Sequence, residues 1–219
     1  VVSSGRIRLG DADITHWAPH KRSVATAFQD AGLFPHVDVM ENLQLGARVG
    51  RRRRPDIAGD PLEHLNHFGL AYITSRKPFE LSGGEAQISS IGRAVASSPS
   101  ILLLDEPTAS LDHMKKRLLS TWLVDVVQYR RIPCVIVSHD REFLLSVSDR
   151  LVVFDNGGAI VETVDRSQHR EASMSLLRAT LLGYPNLFDI RWNGNKATLM
   201  FGSIAAAARY RALSPAIAR

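Results

Sequence analysis

The sequence predicts an α/β fold in which helices flank a mostly parallel sheet. Two apolar runs of strand length, residues 101–104 and residues 133–137, each lead into polar residues. The segment between them contains His113–Arg130, which has the length of the crossover helix that a right-handed parallel connection needs. A chain of 219 residues can bury one sizeable core of this kind and a small appendage.

The N-terminal part of the chain predicts two short strands. Residues 3–10 alternate apolar and polar side chains as a half-buried strand does, and residues 23–28 form a short apolar run. Residues 11–21 lie between them and predict a loop, with Pro19 inside it.

Several helices are predicted over about residues 39–98. Residues 39–47 and 61–71 predict helices, and a further helix begins near Gly83. Residues 48–60 are rich in Arg, Gly and Pro, and they predict the loop between the first two helices.

The last part of the sequence predicts a small β-rich extension. Residues 149–154 and 159–161 flank an Asn-Gly-Gly sequence that is typical of a hairpin turn, and residues 188–201 predict a second hairpin. Residues 165–182 predict a linker or a helix. Residues 203–219 are rich in Ala and Arg and indicate no chemistry.

Composition limits the class of protein. Hydrophobic residues make up 45% of the chain, but no apolar run approaches the 18 or so residues of a membrane span, so any membrane role is peripheral. The single cysteine, Cys134, excludes an internal disulfide framework. The net charge is +5, and much of this excess lies in Arg51–Arg54. Such a cluster indicates either a solvated loop or helix end, or a contact with anionic lipid head groups.

Two adjacent carboxylates, Asp105 and Glu106, follow an apolar strand. They bring negative charge to the edge of a sheet, where a metal ion and a polyphosphate can reach it. Upstream, Ser82 would cap the helix that begins near Gly83, and the amides of Gly83 and Gly84 offer N–H groups to an anion. These two stretches predict a phosphate site.

Two further polar residues also follow predicted strands. Gln29 comes directly after residues 23–28, and its amide oxygen can touch Mg²⁺ or hold a water molecule. His139 follows residues 133–137, and an imidazole at that position can hydrogen-bond a phosphate.

With these residues in view, the chain resembles the ATP-binding subunit of an ABC transporter over about residues 5–162. The motifs that carry the resemblance are Leu81-Ser82-Gly83-Gly84-Glu85 (signature motif), residues 101–106 (Walker B strand), residues 109–112 (D-loop), residues 137–140 (H-loop) and residues 28–30 (Q-loop). The resemblance implies a P-loop NTPase-like ATPase domain at residues 1–165, with a helical subdomain over about residues 39–98. Residues 166–219 would be a linker and a partial C-terminal extension, a truncated version of the regulatory domain that some importer ATPases carry.

The resemblance implies ATP and Mg²⁺ as ligands and a role for each residue of the sheet edge. Asp105 would orient Mg²⁺, and Glu106 would polarise the water that attacks the γ-phosphate. His139 would hydrogen-bond the γ-phosphate, and Gln29 would touch Mg²⁺ or the attacking water.

The signature motif would act on the nucleotide of the opposite subunit, so the resemblance implies a dimer. Ser82, Gly83 and Gly84 would contact its phosphate, with Glu85 in the place where the family usually has Gln. Asp112 of the D-loop is also expected near the nucleotide.

One motif of the family is not found in the sequence. A P-loop needs Gly, four residues and then Gly-Lys-Ser or Gly-Lys-Thr, and no lysine here is preceded by glycine. We expect this motif to lie before Val1. The polypeptide by itself is therefore predicted to show no ATP turnover.

The leading interpretation is an ATPase that powers import of a small ion or solute at the cytoplasmic face of the membrane. Its expected partners are a second ATPase subunit, transmembrane permease subunits docking near residues 33–39 and, indirectly, a solute-binding protein. Residues 33–37 and 40–43 resemble the importer version. A soluble ABC ATPase acting on DNA or ribosomes, and a non-catalytic fragment or pseudoenzyme, are the alternatives. No nucleic acid is expected as a partner.

Overall fold

The computed structural model describes residues 4–55, 60–154, 158–165, 189–193, 196–201 and 204–206. By its internal contacts the chain divides into two units, Val1–Val147 and Ser148–Arg219. The predicted domain boundary at residue 165 stays a prediction. The residues of the predicted site all belong to the first unit.

Three parallel strands form the sheet of the first unit. The strands of this unit are β1 (Arg8–Leu9), β2 (Ala12–Asp13), β3 (Val24–Ala27), β4 (Ile101–Asp105) and β5 (Cys134–Val137). β4 lies between β3 and β5, with Val24 opposite Ile101 and Asp105 opposite Val137. This arrangement confirms the predicted α/β fold with a parallel sheet.

Five helices accompany the sheet in the described part of this unit. They are α1 (Val39–Arg53), α2 (Pro61–His67), α3 (Gly83–Ala96), α4 (His113–Arg130) and α5 (Arg141–Val147). α3 contacts α1, α2, β3 and β4, so it joins the helical subdomain to the sheet. No helix among the described residues has the length and apolar character to cross a membrane.

α1 is longer than predicted. It continues to Arg53, so the loop predicted over residues 48–60 is wrong for its first part. Arginine is a good helix former, and basic side chains in the last turn complement the negative end of the helix dipole. Gly46 and Gly50 do not break the helix, because each allows close packing on α3: a Cβ there would collide with the carbonyl oxygen of Arg93 or Ala96.

α2 is shorter than the predicted helix of residues 61–71. It ends at His67, and Gly69 follows with φ +65°, a left-handed conformation that ends the helix. A short 3₁₀ helix then forms at Ala71–Ile73.

The core of the first unit lies on one face of the sheet. Leu102 and Leu104 of β4 are buried there, whereas Val135 and Val137 of β5, on the other face, are about half exposed. α3 supplies Ile88 and other buried apolar side chains to the same core.

The core also holds a buried histidine. The Nε2 atom of His64 lies 2.6 Å from the carbonyl oxygen of Ile88, and a carbonyl only accepts, so Nε2 carries the proton. The ring stacks near Trp122, with centroids 4.4 Å apart, and a Cβ at Gly92 would collide with it. Burial lowers the pKa of His64 from 6.5 to about 4.

Antiparallel strand pairs precede and follow the parallel strands along the chain. β1 pairs with β2, so only Arg8–Leu9 of the predicted strand at residues 3–10 is paired, and residues 1–3 lie outside the described residues. In the second unit β6 (Arg150–Phe154) pairs with β7 (Ile160–Asp165), which confirms the first predicted hairpin.

A separate three-stranded sheet follows in the second unit. β8 (Asp189–Asn193) and β9 (Lys196–Phe201) confirm the second predicted hairpin, and β10 (Ile204–Ala206) adds a strand that was not predicted. Residues 166–182 of the predicted linker lie outside the described residues.

Protonation of His64 should make stability depend on pH. The unfolded chain binds this proton near pH 6.5, whereas the folded chain binds it only near pH 4. We therefore expect the contribution of His64, up to ~3 kcal/mol, to be complete above pH 6.5 and lost as the pH falls toward 4. Urea unfolding at several pH values measures how the free energy of unfolding depends on pH. His64→Leu should remove this dependence of the free energy of unfolding on pH, and the exposed control His20→Gln should keep it. An unchanged pH dependence in His64→Leu would contradict the assignment.

Gly92 should be required by the ring of His64. The Gly92→Ala methyl group would overlap the ring, so we expect this variant to unfold more easily by ~2 kcal/mol, as overpacked cores do. A double-mutant cycle with His64→Ala tests the cause. If the two changes are additive, the collision is not the reason for the loss.

Candidate functional site

The carboxyl ends of the three parallel strands meet at one edge of the sheet. Gln29 lies just beyond β3, Asp105 ends β4, and His139 lies just beyond β5. Gln29 and Asp105, both exposed, line one open pocket of about 460 Å³ together with Phe28 and Asp30. The structure thus brings the sequence-predicted metal candidates together.

Glu106 is held firmly at this edge. Its backbone has φ +45°, unusual for a residue other than glycine, and its N–H donates to the carbonyl oxygen of Val137 at 2.8 Å. The carboxylate accepts hydrogen bonds from the N–H of His139 and the hydroxyl of Ser138, both at 2.9 Å. The loop after β5 therefore sets the direction of the carboxylate that follows β4.

The imidazole of His139 lies beside the same carboxylate. Its Nδ1 atom is 2.9 Å from Oε1 of Glu106, the distance at which Nδ1–H donates to a carboxylate oxygen. The His139 side chain is 82% exposed and that of Glu106 is 18% exposed. The acid is thus sheltered and oriented, while the imidazole reaches into solvent.

Two supporting residues received no role from the sequence. Ser138 donates to Glu106 and also accepts from the N–H of Asp140 at 3.1 Å. Asp140 accepts from Lys116 Nζ at 2.6 Å. Burial alone would raise the pKa of Asp140, but the bonds from Lys116 and from the N–H of Phe143 hold the pKa below its usual value. In the sequence, only their position next to His139 indicated that Ser138 and Asp140 belong to the site.

The predicted phosphate turn begins α3 as expected. The hydroxyl of Ser82 accepts from the N–H of Glu85 at 3.3 Å, and Oε2 of Glu85 accepts from the N–H of Ser82 at 2.8 Å. This is a capping box, in which two free N–H groups of the helix end are satisfied reciprocally. Ser82 and Gly83 are exposed.

The two glycines of this turn pack against the loop after β4. A Cβ at Gly84 would lie 2.9 Å from the carbonyl oxygen of Ser110, and a Cβ at Gly83 would lie 3.2 Å from the Ser110 side chain. Glycine is therefore needed here for close backbone approach, independently of any ligand.

Glu85 is engaged by partners from its own chain. Its side chain is 8% exposed, and Oε1 accepts from the hydroxyl of Tyr72 at 2.7 Å. This hydrogen bond is the main reason that the pKa of Glu85 is lowered. Glu85 is thus a buried carboxylate that fixes the start of α3.

Asp112 caps the next helix. Its Oδ1 atom accepts from the N–H of Lys115 at 2.8 Å at the start of α4, and its side chain is 61% exposed. Among the described residues, no hydrogen bond or ion pair links Asp112 or the Ser82–Glu85 turn to Gln29, Glu106 or His139. The candidate site therefore consists of two separate groups.

The segment after Gln29 is tied to α3. Arg93 donates to the carbonyl oxygen of Gly32 at 2.7 Å and to Oδ1 of Asn42 at 3.2 Å, and its guanidinium lies 5.0 Å from the centre of the Phe34 ring. Ser90 donates to the carbonyl oxygen of Ala31. These contacts position the surface predicted to meet a membrane partner.

Known proteins are similar to this chain in sequence. A family model described as ABC transporter matches residues 2–109. The spermidine/putrescine import ATP-binding protein PotA of Marinobacter nauticus is 37% identical over 187 residues, which cover 85% of this chain and 50% of that protein. PotA of Escherichia coli strain K12 is 37% identical over 188 residues, covering 86% and 50%. The chain spans about half the length of these curated relatives.

Solved structures support the fold. The dimeric structure of the ATP-binding cassette MJ0796 in a post-hydrolysis state, bound to ADP and Pi, superimposes with a TM-score of 0.64 at 23% identity, covering 75% of this chain and 74% of that one. This likeness concerns the fold alone. The sequence matches show that the chain belongs to the ABC transporter family and is similar to its ATP-binding subunits.

Proposed function

We propose that the protein hydrolyses ATP to power import of a small solute through a membrane permease. The observation that carries this proposal is the carboxylate of Glu106, which follows Asp105 directly and which Ser138 and His139 hold in a set direction. A carboxylate in a set direction at the end of a parallel strand is suited to orient a water molecule for attack on a phosphate.

The sheet edge also suits Mg²⁺. The carboxylate of Asp105 and the amide oxygen of Gln29 share one pocket, and oxygen atoms are the ligands that Mg²⁺ prefers. No group of three or more His, Cys, Asp or Glu side chains fit to hold a metal occurs in the described part of the chain. Mg²⁺ needs no such group here, because it is commonly held by one or two carboxylates together with substrate phosphates. When bound, it would neutralise charge on the phosphates.

The remaining contacts with the nucleotide are assigned to residues that are exposed to solvent. His139 extends from the oriented carboxylate into solvent, where its imidazole would contact the terminal phosphate of ATP. Ser82 and Gly83 are exposed at the start of α3, a place that attracts anions. Because no described bond joins them to Glu106, we propose that they meet the nucleotide of a second subunit in a dimer. Gly84, Glu85 and Asp112 would shape that surface.

The membrane assembly is part of the same proposal. The relatives are named as import ATP-binding proteins for spermidine and putrescine, so polyamines are the first solutes to test. We propose that the protein works peripherally at the cytoplasmic face, with permease subunits on the segment that Arg93 holds and a solute-binding protein acting through them. Nothing observed favours nucleic acid or ribosomes as the partner.

Removal of the Glu106 carboxylate should stop turnover but keep nucleotide binding. We expect Glu106→Gln, introduced at the native gene, to lower ATP hydrolysis by the isolated transporter about 10²–10³-fold, because the amide cannot accept the proton of the attacking water. Phosphate release and labelled spermidine uptake are the measurements.

Glu142→Gln is the matched control, since Glu142 is an exposed carboxylate on α5 outside the site. Full turnover in Glu106→Gln would refute the catalytic role. Full turnover in the parent protein without uptake of any tested solute would refute the import role alone.

A further inference from the structure

The C-terminal ends of three helices meet at one corner of the helical subdomain. α1 contacts the end of α3, since a Cβ at Gly50 would collide with the carbonyl oxygen of Ala96. Arg54, just after α1, donates to the carbonyl oxygen of Arg130 at 3.4 Å, and Arg130 donates to that of Val95 at 3.3 Å. The fold therefore brings Arg54, the last residue of the Arg51–Arg54 cluster, beside the end of α4, from which it is distant in sequence.

More positive charge collects here than the helix ends require. Each helix C-terminus carries roughly half a negative charge, and the guanidinium groups of Arg54 and Arg130 already serve carbonyl oxygens. Beyond these, the side chains of Arg51, Arg52 and Arg131 are exposed at the same corner. The guanidinium groups are always charged at neutral pH.

Acidic neighbours reduce this charge only in part. Asp60 lines a shallow cleft with Arg48 and Arg51, and the negative charge of Glu63 interacts electrostatically with Arg130. Arg52 lies on the exposed side of α1 and Arg131 is exposed at the end of α4, whereas Arg53 and Arg54 are partly buried. The surface thus stays positive.

Apolar side chains are exposed beside the arginines. Leu45 is 37% exposed and Val49 40% exposed, one turn apart on the side of α1 that also carries Arg48 and Arg52. At the end of α4, Tyr129 is 82% exposed. Aliphatic side chains next to arginines make no favourable contact with a nucleic-acid backbone. They are stabilised at the boundary between lipid head groups and acyl chains, where amphipathic basic helices bind.

We propose that this surface docks directly on an anionic membrane. We call it the arginine corner and define it by its members: Leu45, Arg48, Val49, Arg51, Arg52, Arg53, Arg54, Tyr129 and Arg131. Its arginines contact lipid phosphates, and its apolar side chains enter the head-group region. This contact needs neither permease nor nucleotide, so it stands apart from the proposed function.

Vesicle sedimentation of the full chain tests the proposal. We expect binding to vesicles of phosphatidylglycerol and phosphatidylcholine, weakened by salt, and little binding to phosphatidylcholine alone. The double variant Arg51→Gln, Arg52→Gln should bind about 30-fold more weakly, because each basic residue near an anionic surface changes binding about fivefold. Val49→Gln should weaken binding to a smaller extent and leave its salt dependence unchanged.

The control removes the same charge elsewhere. Arg6 and Arg117 are exposed and lie outside the arginine corner, so Arg6→Gln, Arg117→Gln should keep most of the vesicle binding. Circular dichroism and thermal melting verify that all variants fold. Equal losses in both double variants would overturn the proposal, since only net charge would then matter. Tighter binding to duplex DNA than to anionic vesicles, or equal binding to neutral vesicles, would also overturn it.

Discussion

The parallel pairing of β4 between β3 and β5 is the constraint on which the site depends. It places the carboxyl ends of the three strands at one edge, so that the loop after β5 can hold Glu106 by its backbone N–H and by a hydroxyl. If β4 shifted by one residue relative to its neighbours, each of its side chains would turn to the other face of the sheet. Leu102 and Leu104 would then leave the core that makes the register stable.

Helix α3 connects this edge to the rest of the unit. Its first turn packs on the loop after β4 through Gly83 and Gly84, and its middle holds the segment after Gln29 through Ser90 and Arg93. The first contact depends on glycine, which allows backbones to come close. The second depends on hydrogen bonds that the Ser90 hydroxyl and the Arg93 guanidinium donate to carbonyl oxygens. A displacement of α3 would therefore change the position of the segment after Gln29 as well as that of Gly83 and Gly84.

Several polar residues of the candidate site have structural roles of their own. Glu85 caps α3 and accepts from Tyr72, which explains how a carboxylate can occupy this position without facing an anion directly. Asp112 caps α4 in the same manner, and Asp140 links Lys116 to the loop that holds Glu106. The structural role of each residue accounts for its residue type, and the proposed ligand contacts would use the same geometry.

The sequence by itself determined the three parallel strands, the order of the helices and the motif residues, because apolar periodicity, turn residues and caps are local properties. It did not predict β2, which lies in the loop expected over residues 11–21, or β10. It also placed Gln29, Asp105 and His139 at strand ends. Only the tertiary structure showed that α1 runs to Arg53, that Ser138 and Asp140 support Glu106, and that Arg54 meets Arg130. These features depend on contacts between residues far apart in the chain. Gly46 and Gly50 illustrate the reason, since glycine signals a break in a local pattern but allows close helix packing in the folded chain.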